Sequence, residues 1–175
     1  MRKLSLKELN RISVAEFKAT DKTPIVLVLD NIRSALNVGS AFRTADAFAL
    51  AHIYLCGITA KPPHREILKT AIGATDSVDW TYCEQVEDAI TDLKGQGYTI
   101  LSIEQTTDST PLQEMTKPSS PIALVFGNEV SGVSDTALNL SDRAIEIPQF
   151  GTKHSLNISV CLGIVVWSFF EKLKL

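Results

Sequence analysis

Two runs constrain the fold of this chain more than anything else in it: Pro24-Ile-Val-Leu-Val-Leu-Asp30 and Pro121-Ile-Ala-Leu-Val-Phe126. Neither alternates apolar with polar residues. A strand with one wet face alternates, whereas a strand covered on both faces, as at the centre of a parallel sheet, reads as a continuous apolar run. Around these two runs, helical and strand-like stretches take turns. Helical spacing occupies 38–48, with Phe42, Ala45 and Phe48, and His52-Ile-Tyr-Leu-Cys56 is a further strand. A loop with Pro62-Pro63 leads to a helix over 64–71, and 78–83 alternates like a short strand. A helix over 84–93 is stopped by Gly95 and Gly97 and precedes a strand over 98–103. A short helix over 134–140, a strand over 144–148 and a final helix over 155–172 complete the series. This alternation predicts an α/β domain: a mainly parallel sheet flanked by helices on both faces.

The chain of 175 residues is expected to be one domain, 23–175, preceded by a short N-terminal arm or helix over 1–22. In the arm Leu4, Leu6, Leu9 and Ile12 sit among Lys7, Glu8 and Arg11. With 45% hydrophobic and 21% charged residues, the chain can bury a core without disulfide or metal. Cys56, Cys83 and Cys161 are odd in number, widely spaced and form no Cys-x-x-Cys pair. That pattern predicts reduced thiols in the cytoplasm and no structural zinc. His52, His64 and His154 lack metal-ligand spacing, so no metal is assigned. The charged N-terminus lacks the apolar core of a signal peptide. The longest apolar stretch, 156–170, is shorter than a membrane span and contains Asn157 and Ser159, so it reads as a buried helix. A net charge of −3 is not the balance of a general nucleic-acid binder, so any such partner must be held by a local patch.

Three segments carry residues that scaffold does not need. They are Asn37 to Ala45 (NVGSAFRTA), Phe126 to Gly132 (FGNEVSG) and Ile147 to Ser159 (IPQFGTKHSLNIS). Each joins an apolar run to glycine, asparagine or glutamate, and serine, and such groups are costly to bury without partners. All three follow or continue strands, and ligands of open α/β sheets bind beyond the carboxyl ends of strands. Each also has a local explanation. Asn37 caps a helix starting at Val38, Gly127 to Gly132 is a strand-to-helix turn with Glu129 in water, and Ser155 caps the last helix. The glycine spacing of the second segment is that of a phosphate loop, but Val133 and Ser134 stand where Lys and Ser/Thr are required, and no GxGxxG occurs.

Taken together and in order, the segments resemble the three signature motifs of the SpoU/TrmH-like branch of the SPOUT superfamily, RNA 2′-O-ribose methyltransferases. The first motif is matched by Asn37, Gly39 and Arg43-Thr44, and the second by Gly127, Glu129 and Gly132. The third is matched by Ile147-Pro148, Gly151 and Ser155-Leu156-Asn157-Ile158-Ser159, and 69–74 resembles the family's linking loop. The resemblance covers residues 24–173.

It implies an α/β fold with a C-terminal deep trefoil knot, and S-adenosylmethionine as methyl donor, held by Ile103, Gly127, Ile147 and Leu156. It implies methyl transfer to a ribose 2′-hydroxyl of tRNA or rRNA, with S-adenosylhomocysteine as product. Arg43 is the implied key catalytic residue, with Asn37, Glu129, Ser155 and Asn157 shaping the site. Arginine stays protonated in proteins, so Arg43 is expected to grip a phosphate and stabilise the developing alkoxide rather than act as a base. The resemblance further implies a homodimer formed through the knot region, where Val165, Val166, Trp167, Phe169 and Phe170 suit an interface or a core equally. RNA contact would fall to Arg33, Arg43, Lys61, His64, Arg65, Lys69, Lys153 and His154. Two other readings remain open: a protein of this fold that binds without catalysis, and an unknotted flavodoxin-like nucleotide module.

Overall fold

Among the described residues seven strands form one sheet: β1 (Thr23–Asp30), β2 (Leu50–Cys56), β3 (Trp80–Cys83), β4 (Thr99–Ile103), β5 (Thr110–Pro111), β6 (Ile122–Phe126) and β7 (Arg143–Glu146). The computed structural model describes residues 1–5 and 7–175. The sheet order is β3-β2-β1-β6-β4-β7-β5, and every pairing between these strands is parallel. The two continuous apolar runs are therefore neighbours at the centre, as two-sided burial requires. Ile25, Leu27 and Leu29 of β1 face one layer while Val26 and Val28 face the other, the two-residue period of a strand.

Among the described residues seven α-helices cover the sheet: α1 (Val14–Ala19), α2 (Ala35–Ala47), α3 (Arg65–Ala71), α4 (Ala74–Ser77), α5 (Val86–Gly95), α6 (Asp135–Leu140) and α7 (Ile158–Lys174). The larger core layer joins Phe17, Val38, Phe42, Ile67, Leu162, Val165, Val166 and Phe169 to one face of the sheet. The other layer packs Val86, Ile90, Leu93 and Ala137 of α5 and α6 against Val26, Val28 and Val125. Gly39 lets α2 lie directly on α3: a Cβ there would stand 2.1 Å from Thr70 Oγ1 and 2.4 Å from the Ile67 carbonyl.

The expected elements are present, with corrections at their ends. The N-terminal arm forms a turn at Lys7–Leu9 and then α1, which starts late because Ser13 and Glu16 make a reciprocal capping box. Phe17 pins α1 into the core, whereas Leu4, Leu9 and Ile12 are exposed; Leu6 lies outside the described residues. Helix α2 begins at Ala35 rather than Val38, because the Ser34 side chain takes the cap by accepting the Asn37 N–H. Helix α7 begins at Ile158, not Ser155, because Asn157 caps it by accepting the Ser159 N–H at 2.9 Å. Residues 69–74 are not a loop: they finish α3 and turn through Ile72 and Gly73, both at positive φ, into α4. Helix α4 and strand β5 were not expected, being too short to carry a periodic signal.

One feature of the order positions the site. Strand β7 lies between β4 and β5, although residues 104–109 alone join β4 to β5. The chain leaving β7 for α7 therefore passes that short connection at the carboxyl edge of the sheet.

Candidate active site

The loops after β4, β6 and β7 surround a cavity of about 490 Å³ at the carboxyl ends of the strands. That is the size of a small-molecule site, typically about 300–1,000 Å³. Ile103, Gly127, Ile147 and Leu156 all line it, as do Glu129, Ser155 and Asn157.

The floor is the β6–α6 turn. Asn128 and Gly132 exchange backbone hydrogen bonds, each 2.9 Å, and Asn128 Oδ1 accepts the N–H groups of Val130 and Ser131. Asn128 Nδ2 donates to the Asn31 carbonyl at 2.7 Å, fastening this turn to the β1–α2 loop. A Cβ on Gly127 would stand 2.1 Å from the Gly132 carbonyl carbon and the Val133 nitrogen, so glycine is required for the chain to double back. Gly132 has φ +73.

Glu129 is bonded across the site rather than left to water. Its carboxylate accepts the Arg33 N–H at 2.8 Å, the Ser34 N–H at 3.0 Å and Asn37 Nδ2 at 2.9 Å. Asn157 Nδ2 in turn donates to Asn37 Oδ1 at 3.4 Å, and Asn157 Oδ1 accepts from Ser159. Glu129, Asn37 and Asn157 thus form one row that joins all three sequence motifs. Partial burial pushes the Glu129 carboxyl up, but the donors on Arg33, Asn37 and Ser34 outweigh it and hold the group below its ordinary range.

Three expectations about capping and burial, for Asn37, Asn157 and Ser155, need correcting. Asn37 does not cap α2; it sits in the first turn, which frees its amide for Glu129. Asn157 is exposed rather than buried, and Ser155 lines the cavity without capping α7. Arg43 joins neither the row nor the cavity lining. It is exposed on α2 beside a shallow cleft formed with Ser40, Thr44, Phe48 and Lys69, and its guanidinium makes no ion pair among the described residues.

Sequence reasoning missed Glu104, Gln105, Asn128, Glu146 and Cys161, all in the lining. The signal for the first two was available, since they directly follow a strand. Glu104 accepts the Val133 N–H at 3.0 Å and the Gln105 N–H at 2.9 Å, and Gln105 Nε2 donates to the His154 carbonyl at 2.8 Å. The β4 end thereby ties both other loops together. Asp30, buried at the end of β1, accepts the Ser134 N–H at 2.9 Å and fixes the start of α6. Burial and then the nearby Glu104 push the Cys161 thiol up to about 11, so it stays protonated at neutral pH.

The charged lining consists of Glu104, Glu129 and Glu146, with His154 and without any lysine or arginine. Such a site favours a cationic ligand and disfavours a phosphate-bearing one. Among the described residues no group of acidic, histidine or cysteine side chains is arranged to hold a metal, and no helix is long and apolar enough to cross a membrane.

Residues 24–167 match the sequence profile of the SpoU rRNA Methylase family. The chain is 30% identical over 161 residues to a 23S rRNA (guanosine-2′-O-)-methyltransferase of Vibrio parahaemolyticus, covering 92% of this chain and 64% of that one. It is 30% identical over 149 residues to a tRNA (guanosine(18)-2′-O)-methyltransferase of Aquifex aeolicus, covering 82% of this chain and 67% of the other. In fold it is similar to an AdoMet-bound rRNA methyltransferase from Sinorhizobium meliloti, with TM-score 0.81 and 24% identity over 90% of this chain and 60% of that chain. The chain spans a little under two thirds of the length of the first of its curated relatives, 63% and 64%.

Proposed function

The chain belongs to the SpoU rRNA methylase family, and from that premise we propose that it transfers a methyl group from S-adenosylmethionine to a ribose 2′-hydroxyl of tRNA or rRNA. The carrying observation is the cavity itself. Its lining contains the four positions expected to hold the cofactor, and its charge is that of Glu104, Glu129 and Glu146. A sulfonium cation fits this site; a nucleoside triphosphate does not. When bound, the cofactor supplies an electrophilic methyl carbon whose bond to sulfur breaks as the ribose oxygen bonds to it, S-adenosylhomocysteine leaving and the hydroxyl proton passing to phosphate or water.

The residues of the chain supply position and charge. Asn37 and Asn157 fix the relative placement of α2 and α7 beside the cavity, and Glu129 locks the first residues of α2 to the glycine turn. Ser155 lines the same space. Arg43 lies outside the cavity on the exposed face of α2, where a phosphate of a bound RNA is free to reach it. Its bidentate grip would draw the neighbouring ribose in and stabilise charge building on oxygen.

A C-terminal knot is part of this proposal. Its support is the insertion of β7 between β4 and β5, and the Gln105–His154 hydrogen bond where the short connection meets the segment leading to α7. Knots are very rare among folds. We also propose a homodimer: Val165, Val166 and Phe169 are core, but Val160, Ile164 and Trp167 form an exposed apolar stripe along α7. The arm over 1–22 is then an appendage of the methyltransferase domain over 23–175, and the protein works in the cytoplasm. Calorimetric titration with S-adenosylhomocysteine, followed by tritiated-methyl incorporation into bulk tRNA and rRNA, tests the function. Saturable binding with incorporation is expected. Binding without incorporation would make the chain a non-catalytic binder, and no binding would remove the cofactor from the account.

A further inference from the structure

Phe150 is 99% exposed, the most accessible aromatic side chain among the described residues. A phenylalanine there adds nothing to the core and leaves its whole apolar surface in water. Its place is specific. It lies in the β7–α7 loop, directly after Gln149, which lines the cavity, and shortly before His154, Ser155 and Leu156, which do so too. The loop is tethered at the His154 carbonyl by Gln105, so the segment that carries the ring leaves the cavity wall at Gln149 and returns to it at His154. Gly151 next to it has nothing within 4 Å of where a Cβ would stand, so the surrounding space is open. Lys153 and His154, both exposed, follow on the same loop.

Along the loop Phe150 is flanked by Gln149, Gly151, Thr152, Lys153 and His154, polar or small residues that offer no second aromatic or aliphatic anchor beside it. A lone ring beside cations is instead the chemistry of a base-stacking platform, with the ring on a base face and a cation on the backbone. Resting on the methyl-transfer reading above, we propose that Phe150 stacks on the base of the nucleotide presented to the cavity and that Lys153 pairs with an adjacent phosphate. Stacking accepts any base, so this loop grips an unstacked nucleotide without reading its sequence.

The test compares wild type with Phe150→Ala, Phe150→Leu, Phe150→Tyr and Lys153→Ala. Four measurements are made: anisotropy of a fluorescein-labelled single-stranded RNA decamer of mixed sequence, steady-state kinetics (KM and kcat) for bulk tRNA and rRNA, the Kd of S-adenosylhomocysteine, and sedimentation velocity. Phe150→Ala should weaken RNA binding roughly 5- to 150-fold, Phe150→Leu nearly as much, and Phe150→Tyr little. The loss should appear in KM, with S-adenosylhomocysteine affinity unchanged. Unchanged RNA affinity in Phe150→Ala, or full recovery by leucine, overturns the proposal. So does a loss confined to S-adenosylhomocysteine, which would make the ring a cover for the cofactor, or a change of sedimentation alone, which would make it a contact between two copies. If wild type methylates neither RNA while Phe150→Ala still binds RNA more weakly, stacking stands and the catalytic reading falls.

Discussion

At the residue scale the site depends on a few side chains whose partners lie far away in sequence. Arg43 is exposed and free of ion pairs among the described residues, so replacing it tests chemistry rather than folding. Arg43→Lys keeps the charge but removes the planar two-pronged donor set. Methyl transfer should fall about 100-fold in kcat, with thermal stability and S-adenosylhomocysteine affinity unchanged; a rate near wild type would refute the bidentate role. Glu129 makes a second prediction. Its folded pKa lies below the unfolded value of about 4.3. The stability it contributes is therefore present above that value and is lost as pH falls through the depressed folded pKa. Glu129→Gln should lower the melting temperature at neutral pH, and the difference from wild type should shrink as pH is lowered through 4 and below. A difference independent of pH would mean that the carboxylate charge is not what the three donors hold.

At the element scale, existence was easier to read than termini. The runs of β1 and β6 announced two-sided burial, and α2, α5 and α7 showed their periods. Where α2 and α7 start was misread, because a cap is decided by which side chain reaches a free N–H. Ser34 and Asn157 won over Asn37 and Ser155, and nothing in residue type separates these candidates. The motif residues were legible as a set, but the row from Glu129 through Asn37 to Asn157 was not, since it joins groups 92 and 120 positions apart. The glycine turn gives the sharpest prediction here. In Gly127→Ala the new methyl meets backbone at 2.1 Å, and backbone cannot yield as a flexible side chain can. A loss of about 1–3 kcal/mol, or roughly 2–12 °C in Tm, is expected together with loss of S-adenosylhomocysteine binding. Calorimetry and thermal melts check both, and an unshifted melt with intact binding would show that the turn has room.

For the whole molecule, a net charge of −3 and a cavity edged by carboxylates suit a cationic cofactor and do little to attract RNA. On the proposed function, RNA would be gathered by exposed local cations such as Arg33, Arg43, Lys69 and Lys153. Assembly is the other property of this scale. Val160, Ile164 and Trp167 are 51%, 41% and 47% exposed on one stripe of α7, beside the buried Leu162, Val165, Val166 and Phe169. Sedimentation should show a dimer for the wild-type chain, and Ile164→Asp should yield a folded monomer. A wild-type monomer would contradict the assigned role of that stripe.

The most direct measurement concerns where a transferred methyl group ends up. RNA from cells lacking the protein is incubated with the purified chain and tritium-labelled S-adenosylmethionine, then hydrolysed in alkali. A methylated 2′-oxygen cannot attack the neighbouring phosphate, so the label should be recovered in alkali-resistant dinucleotides, and Arg43→Lys should reduce that fraction about 100-fold. Label recovered in mononucleotides would place the methyl on a base, and no label from either tRNA or rRNA would leave the cavity without the chemistry proposed for it.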